Sequence, residues 1–270
     1  MRRLGLDQAL SRAIGCYQIF PDVSAAQAVQ ARLGEDGIRA NIVIDPERTF
    51  SRPALYFPDD RSADARAYGE ALAIDLADKG VTFIYEAQDV RLRVQDEGRI
   101  AVALGSHRFE ADHVIVACGA QSADILAPLG LSLKVTPVRG WAVDFKLPEE
   151  LTLPPVPVMD HISRSALTVF EDRFRLSGTW NEDSAKPMLT RWAQIIPDAI
   201  NKAGKPLSIW SGLRPVSQVG RPYISSTSIP GLWVNAGHGH LGWTLCAGSG
   251  ALMARMILDD VADRRFVFAG

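Results

Sequence analysis

The chain has few cysteines, and they lie far apart. Cys16, Cys118 and Cys246 are the only three in 270 residues. No C-x-x-C pair exists, so neither a zinc site nor a disulfide framework is expected, and no metal is assigned. Cys118 and Cys246 sit among apolar and small residues and read as buried structural thiols. Free thiols fit a reducing compartment. An excess of charge of one sign is also missing. The formal net charge is −2, and the basic residues form no long block, so there is no general pull toward nucleic acid or an anionic membrane. No uninterrupted apolar run reaches the ~18–20 residues of a bilayer span. The stretch "LGLDQALSRAIG" behind Arg2 and Arg3 is too polar for a signal-peptide core. No transmembrane segment is therefore expected. The expectation is a cytoplasmic location, with peripheral contact at the inner face of a membrane left open. There is no internal repeat and no low-complexity segment.

What remains is an ordinary globular composition, 47% hydrophobic and 22% charged, with length enough for one large domain or two smaller ones. Leu4, Leu6, Leu10 and Ile14 suggest a short amphipathic helix. "CYQIF" reads as a strand, and "SAAQAVQARLGEDG" as a helix with Ser24 as N-cap. "ALYF" is a short strand within a loop rich in proline and charge. "RSADARAYGEALAIDLADKG" has helical spacing and ends at Gly80. "VTFIYEA" reads as a strand, and the alternation around Glu97-Gly98 as a hairpin. "DHVIVACGAQS" is a continuous apolar strand opening into small residues, the form of a buried strand in a helix-covered sheet. From 136 to 207 antiparallel strands with short turns dominate, with "KPMLTRWAQIIPDAI" as a helix. "GLWVNAG" returns to the buried-strand form, and "WTLCAGSGALMARMIL" is a helix with an apolar face. The fold class is mixed α/β, α+β in detail. An α/β layer from 62–135 and 208–262 interleaves with a strand-rich layer from 15–61 and 136–207.

One turn carries a candidate chemistry. Residues 237–257 read "GHGHLGWTLCAGSGALMARMI". Gly237, Gly239 and Gly242 spell G-x-G-x-x-G between a strand and a helix, the written form of a dinucleotide-binding turn. Such a turn needs a second strand after its helix, with an acid at that strand's end for the ribose. Here only "DDVADRRFVFAG" follows, and Asp259 and Asp260 lie on the helix end. The βαβ unit is incomplete. A strand-to-helix turn of small residues also suits any group that becomes anionic, since backbone N–H groups and the helix dipole converge there. The N1–C2=O edge of a reduced flavin is one such group, and glycine lets a flat ring approach the backbone. A tightly packed helix with no ligand is the third possibility.

The segment "LRPVSQVGRPYISSTSIPGLWVNAGHGHLGWTLCAGSGALMARMI" resembles the C-terminal signature of the FAD-dependent D-amino-acid oxidase superfamily. The form is that of bacterial D-amino-acid dehydrogenases of the small-subunit type. "ADHVIVACGAQSADILAPLGLSLKVTPVRGWAVDF" is similar to the same family's middle strand and crossing segment, and "ALYFPDDRSADARAYGEALAIDLADKGVTF" to the helix and strand before it. The resemblance runs from about residue 15 to the end. It implies FAD as cofactor, with residues 237–244 at the flavin ring: Gly237, His238, Gly239, Leu241, Gly242, Trp243 and Thr244 as cofactor contacts. It implies that Cys118, Gly119 and Ala120 pass near the ADP half and that the strand starting at Val90 flanks the adenine. The strand-rich layer would be the substrate domain, and the 62–135 and 208–262 layer a partial FAD-binding domain.

The resemblance also implies the reaction. A hydride leaves Cα of an amino acid for the flavin, and the imine hydrolyses to a 2-oxo acid and ammonia. Arg214 in "GLRPV" matches the family arginine that holds the substrate carboxylate, a task suited to the guanidinium fork; a structural ion pair is the alternative. His240 stands where the family varies and is a candidate for setting substrate preference. A histidine near a turn is otherwise structural, and the same holds for His238. Tyr56 and Trp180 are candidates for the substrate pocket, against core packing as the default for aromatic residues.

One departure is large. The family opens with its own strand, glycine turn and helix for the FAD pyrophosphate, and nothing before residue 62 resembles that element. The expectation is a truncated chain, or one completed by a partner chain that supplies the ADP-binding element. The leading function is FAD-dependent oxidation of the CH–NH2 group of a D-amino acid or related amine acid. The alternatives are a glycine, sarcosine or proline-derivative oxidase, and a non-catalytic remnant or subunit. A small-molecule amino-acid substrate is the expected ligand, with no nucleic acid.

Overall fold

The computed structural model describes residues 10–44, 50, 52–95, 99–178 and 182–259. They fall into two compact units, Met1–Val81 with Arg139–Gly212, and Thr82–Val138 with Leu213–Gly270.

The first unit is built on an eight-stranded sheet. In chain order its strands are β1 (Leu10–Ile19), β2 (Asn41–Ile44), β3 (Pro53–Ala63), β8 (Val135–Lys146), β9 (Val158–Asp160), β10 (Ser165–Val169), β11 (Arg173–Gly178) and β12 (Ser208–Ser217). Their spatial order is β12-β8-β11-β10-β9-β1-β3-β2. The β1–β9 pair is parallel, while β3 runs antiparallel to both β1 and β2. β8 and β12 carry the chain across the boundary between the units. Residues 10–14 belong to β1, where the sequence suggested helix. Pairing of Leu10 with Ala63 and Ile14 with Arg61 supplies hydrogen bonds that a one-turn amphipathic pattern cannot match.

Helices α1 (Val23–Glu35), α2 (Ala65–Asp78), α4 (Lys186–Ile195) and α5 (Pro197–Ala203) complete this unit. The N-cap of α1 is Asp22, not Ser24. Its carboxylate accepts from the Ala25 amide at 2.8 Å, and Ser24 Oγ donates to the same carboxylate at 2.7 Å. The stretch expected as one helix over 186–200 is two, because Pro197 offers no amide to continue α4 and begins α5 instead. α2, expected with the other layer, falls in this unit. Its capping Asp64 also faces Arg173 of β11 at 3.4 Å.

The core of the first unit packs Ile19, Val143, Val158, Leu167, Phe174 and Leu176 of the sheet against Met188, Trp192 and Ile195 of α4. A buried polar network fixes the same helix. Arg191 donates twice to Asp160, at 2.8 and 2.9 Å. Ser163 Oγ donates to Asp160 at 2.6 Å and shares a 2.6 Å bond with Ser165 Oγ. Trp192 Nε1 donates to Ser165 Oγ at 2.8 Å. Burial works to raise the Asp160 pKa, but the Arg191 and Ser163 hydrogen bonds outweigh it and hold the carboxyl below its ordinary range.

The second unit contains two three-stranded sheets. One is an antiparallel meander, β4 (Val90–Val94), β5 (Ile100–Leu104) and β6 (His107–Ala111). The other has the order β13 (Tyr223–Ser226), β14 (Leu232–Ala236), β7 (Val114–Val116), with β14 parallel to β7. Helices α3 (Ser122–Leu126) and α6 (Gly242–Leu258) follow β7 and β14. Leu92 and Ile100 of the meander share a core with Val116, Leu126, Leu232 and Val234. α6 packs Met253 and Met256 against Ile224 of β13. The segment "VTFIYEA" forms no strand. Phe83, Ile84 and Tyr85 are exposed, and the Phe83 and Tyr85 rings stack at 5.9 Å. Its β-branched and aromatic composition suits a strand, but none of the described strands pairs with it.

Cys118 and Cys246, expected buried, are exposed, and only Cys16 is buried. Burial first, then the nearby Asp60 charge, pushes the Cys16 thiol up to about 12. Among the described residues one stretch, Gly239–Leu258, is long and apolar enough to cross a membrane by length and composition. His240 and Arg255 interrupt its apolar run, and most of the helix is exposed, with Ser249, Met253 and Met256 buried.

Candidate functional site

The second unit brings two turns together around the end of β12. The first follows β7: Cys118 leads into a 3-10 turn over Gly119–Gln121, closed by the Gln121 amide donating to the Cys118 carbonyl at 3.1 Å. The second follows β14: Gly237 and His238 lead into a 3-10 turn over Gly239–Leu241, which runs into α6. Between them lies the stretch Arg214–Ser217 of β12. A Cβ on Gly119 would lie 4.0 Å from Pro215, and one on Gly239 3.9 Å from Val216. Val216 and His238 form an isolated antiparallel bridge.

Glycine is required at the second turn by conformation and by space. Gly237 has φ +81°, and a Cβ there would meet Ser217 and Tyr223 at 3.1 Å. Gly239 has φ +57° with ordinary room around it, so there the backbone alone selects glycine. No side chain caps α6 and its first turn carries no acidic residue. The positive end of its dipole is thus left without a negative side chain of its own.

The turn carries a neutral imidazole, and β12 a half-buried cation. Burial lowers the His238 pKa, so the ring stays uncharged near neutrality. Burial likewise lowers the Arg214 pKa from its ordinary value, though an arginine remains protonated. Three buried polar atoms have no hydrogen-bond partner among the described residues: Ser122 Oγ, Asn235 Oδ1 and His238 Nε2. Each such atom costs about 1–3 kcal/mol unless something satisfies it. All three sit on the elements that form the two turns. A polar, flat cofactor edge that both donates and accepts hydrogen bonds fits this mixed set, in which Asn235 Oδ1 only accepts, and the glycines keep side-chain bulk from its approach.

The candidates from the sequence are thus partly gathered. Cys118, Gly119 and Ala120 lie at the first turn, while Gly237, His238, Gly239, His240, Leu241, Gly242, Trp243 and Thr244 form the second and the start of α6. Arg214 sits half-buried beside Pro215. Val90 opens β4 opposite Leu104, and β4 packs beside α3. Tyr56 belongs to the first unit, where its hydroxyl donates to the Ile14 carbonyl at 2.9 Å and its ring tilts against Tyr17 at 5.0 Å. Trp180 lies outside the described residues. Among the described residues no cluster of His, Cys, Asp and Glu could hold a metal. The sequence reading passed over Asn235 and Ser122. A polar residue inside the apolar strand "LWVNA" was the available signal for the first.

A strand-to-helix glycine turn and a second small-residue turn thus meet the end of β12 on a mixed α/β fold. The chain belongs to the DAO family, FAD dependent oxidoreductase, whose match covers residues 2–256. It is 30% identical over 218 residues to the D-amino acid dehydrogenase of Vibrio vulnificus strain YJ016, covering 78% of this chain and 52% of that protein. It is 31% identical over 274 residues to the D-amino acid dehydrogenase of Vibrio atlanticus strain LGP32, covering 93% and 66%. The chain therefore spans about half to two thirds of the length of these relatives. Among solved structures the fold is similar to glycine oxidase from Geobacillus kaustophilus, with a TM-score of 0.85 at 22% identity, covering 98% of this chain and 78% of that one. It is also similar to L-proline dehydrogenase from P. horikoshii, with a TM-score of 0.78 at 16% identity, covering 97% and 78%.

Proposed function

We propose that this chain carries the ring-side half of a flavin site and the substrate domain of an oxidoreductase acting on the CH–NH2 group of a D-amino acid or related amine acid. The observation that carries the reading is the β12 stretch, whose Pro215 and Val216 lie against the two glycine-containing turns, with Arg214 the residue before Pro215 in the chain. FAD, when bound, supplies the acceptor for the hydride that leaves the substrate Cα. The chain's own residues bind and orient. Arg214 holds the substrate carboxylate through its fork of donors, and its half-burial strengthens that contact. The N-terminus of α6 and the turn at Gly237–Thr244 favour negative charge at the ring edge. His238, kept neutral, offers Nε2 as a hydrogen-bonding atom without adding a charge. Cys118, Gly119 and Ala120 line the ADP side, and Val90 flanks the adenine. His240, Tyr56 and Trp180 shape substrate preference; Tyr56 does so through its ring, since its hydroxyl is committed to Ile14.

A second reading concerns completion of the site. The sequence holds one G-x-G-x-x-G, at Gly237, and we assign it to the ring side. The exposed apolar residues Phe83, Ile84 and Tyr85, strand-like in composition yet unpaired, favour an additional polypeptide segment that supplies the pyrophosphate-binding strand, turn and helix. The test is to saturate the chain with FAD, add D-amino acids anaerobically and follow bleaching of the flavin band. Bleaching that requires Arg214 supports the proposal, and bleaching that ignores it rejects the assignment of that residue.

A further inference from the structure

The β4–β6 meander has two faces with opposite chemistry. Leu92 and Ile100 point into the core of the second unit. Alternation then puts Arg91 and Arg93 of β4 on the outer face. The register places Arg91 opposite Ala103 and Arg93 opposite Ala101, and Ala103 in turn opposite Arg108 of β6. Two alanines thus form a low floor between arginines on both sides. Arg91 and Arg93 are about 7 Å apart along one strand, and Arg91 and Arg108 about 10 Å apart across two, from standard sheet spacings. Above the floor is a cavity of about 320 Å³ lined by Asp89, Arg91, Arg93, Ala101, Ala103 and Arg108.

The charge there is only partly compensated. Arg108 has Glu110 at 3.8 Å. Among the described residues Arg91 and Arg93 have no hydrogen-bond or ion-pair partner; Asp89 lines the cavity and Glu110, opposite Ala101, shares the face, so three arginines meet two carboxylates. Like charges side by side on a sheet face are unfavourable, and a shared anion removes the repulsion. A small carboxylate occupies one guanidinium fork. A phosphate presents oxygens in several directions and can take forks from more than one arginine, and the alanine floor leaves room for it between them.

We propose that this shelf is a binding site for a phosphate group, borne by a free phosphorylated small molecule or by an anionic lipid headgroup. It lies on the face of the meander opposite the core it shares with β7 and β14, and the inference does not depend on the flavin reading.

The test uses the whole chain in phosphate-free buffer, once without FAD and once with one equivalent, because FAD itself carries a diphosphate. Arginines are modified with phenylglyoxal and located by peptide mass spectrometry, with and without inorganic phosphate. Phosphate is expected to slow modification of Arg91 and Arg93 several-fold while leaving Arg66, an exposed arginine paired with Glu70, unchanged. A second arm floats the chain with phosphatidylcholine vesicles, with or without phosphatidylglycerol, and compares R91A/R93A. Protection by free phosphate identifies a soluble ligand. Flotation only with phosphatidylglycerol, lost in R91A/R93A, identifies a headgroup. The proposal is overturned if phosphate protects Arg66 as well as the shelf, if neither probe binds, or if R91A/R93A with an unchanged melting temperature binds both as the native chain does.

Discussion

Val216 and His238 form a single antiparallel bridge between the end of β12 and the turn that begins α6. Two residues before Val216 is Arg214, and one residue before His238 is Gly237. The bridge fixes the Arg214 backbone relative to the glycine turn, and the side chain carries the half-buried cation from there. Such a scaffold suits a site that must hold a substrate carboxylate in register with a flat ring.

Arg214→Ala is expected to cut amino-acid turnover far more than FAD binding. Loss of one partner of a desolvated, hydrogen-bonded charge pair costs about 2–5 kcal/mol, or roughly 30- to several-thousand-fold in kcat/KM. Arg214→Lys keeps the charge but loses the fork and should fall between the two. Steady-state rates at saturating FAD, with flavin affinity measured in parallel, check this.

Gly237→Ala adds a Cβ 3.1 Å from Ser217 and Tyr223 at a φ of +81°. Strain of this kind costs about 1–3 kcal/mol. The melting temperature should fall by roughly 2–10 °C, and FAD affinity should drop with it. Gly248→Ala on α6 has open space around the added atom and ordinary helical backbone. It should leave the melting temperature unchanged or raise it slightly.

The Asp160–Arg191 pair predicts acid sensitivity with a definite sign. The folded-state pKa of Asp160 is held below the unfolded value of about 3.9. Its contribution is therefore present above that value and lost as pH falls through the folded one. Urea unfolding between pH 2 and 6 should show stability falling below about pH 4, and Asp160→Asn should flatten that limb. Arg191→Ala leaves a carboxylate that is 1% exposed without its cation, and should cost about 3–5 kcal/mol at neutral pH.

His238 predicts a second pH dependence. Its pKa is lowered by burial, so the unfolded chain takes up a proton at higher pH than the folded one does. Stability should decline as pH drops below about 6.5, more steeply in the native chain than in His238→Gln. Melting temperatures from pH 5 to 8 measure the difference.

Much of this was readable in the residues, and the misreadings have local causes. The turn at Gly237 was legible as a turn because three glycines separate an apolar strand from an apolar helix. Its role was not, since a ring-side turn and a pyrophosphate turn share one spacing. Resemblance to a family favours the ring-side role. Asp22 displaced Ser24 as the cap of α1 because its carboxylate accepts from the Ala25 amide and starts the helix at Val23, with Ser24 Oγ donating to it. "VTFIYEA" has strand composition, but a strand needs a neighbour, and neighbours are a property of the fold. Cys118 and Cys246 looked buried from their small, apolar neighbours, yet both are exposed. Only tertiary packing decides which face of a small-residue stretch is covered. The Val216–His238 bridge joins residues 22 positions apart, and no periodicity announces it.

The central claim is that Gly237–Thr244 meets the flavin ring and Arg214 meets the substrate. The most direct measurement is anaerobic bleaching of the flavin band by a panel of D-amino acids, with the chain in excess FAD, comparing the native chain with Arg214→Ala and Gly237→Ala. The account predicts bleaching by at least one D-amino acid in the native chain. In Arg214→Ala the bleaching is lost at unchanged FAD binding, and in Gly237→Ala FAD affinity itself is reduced. Bleaching at the native rate in Arg214→Ala, or no bleaching by any substrate although FAD is bound, would contradict it.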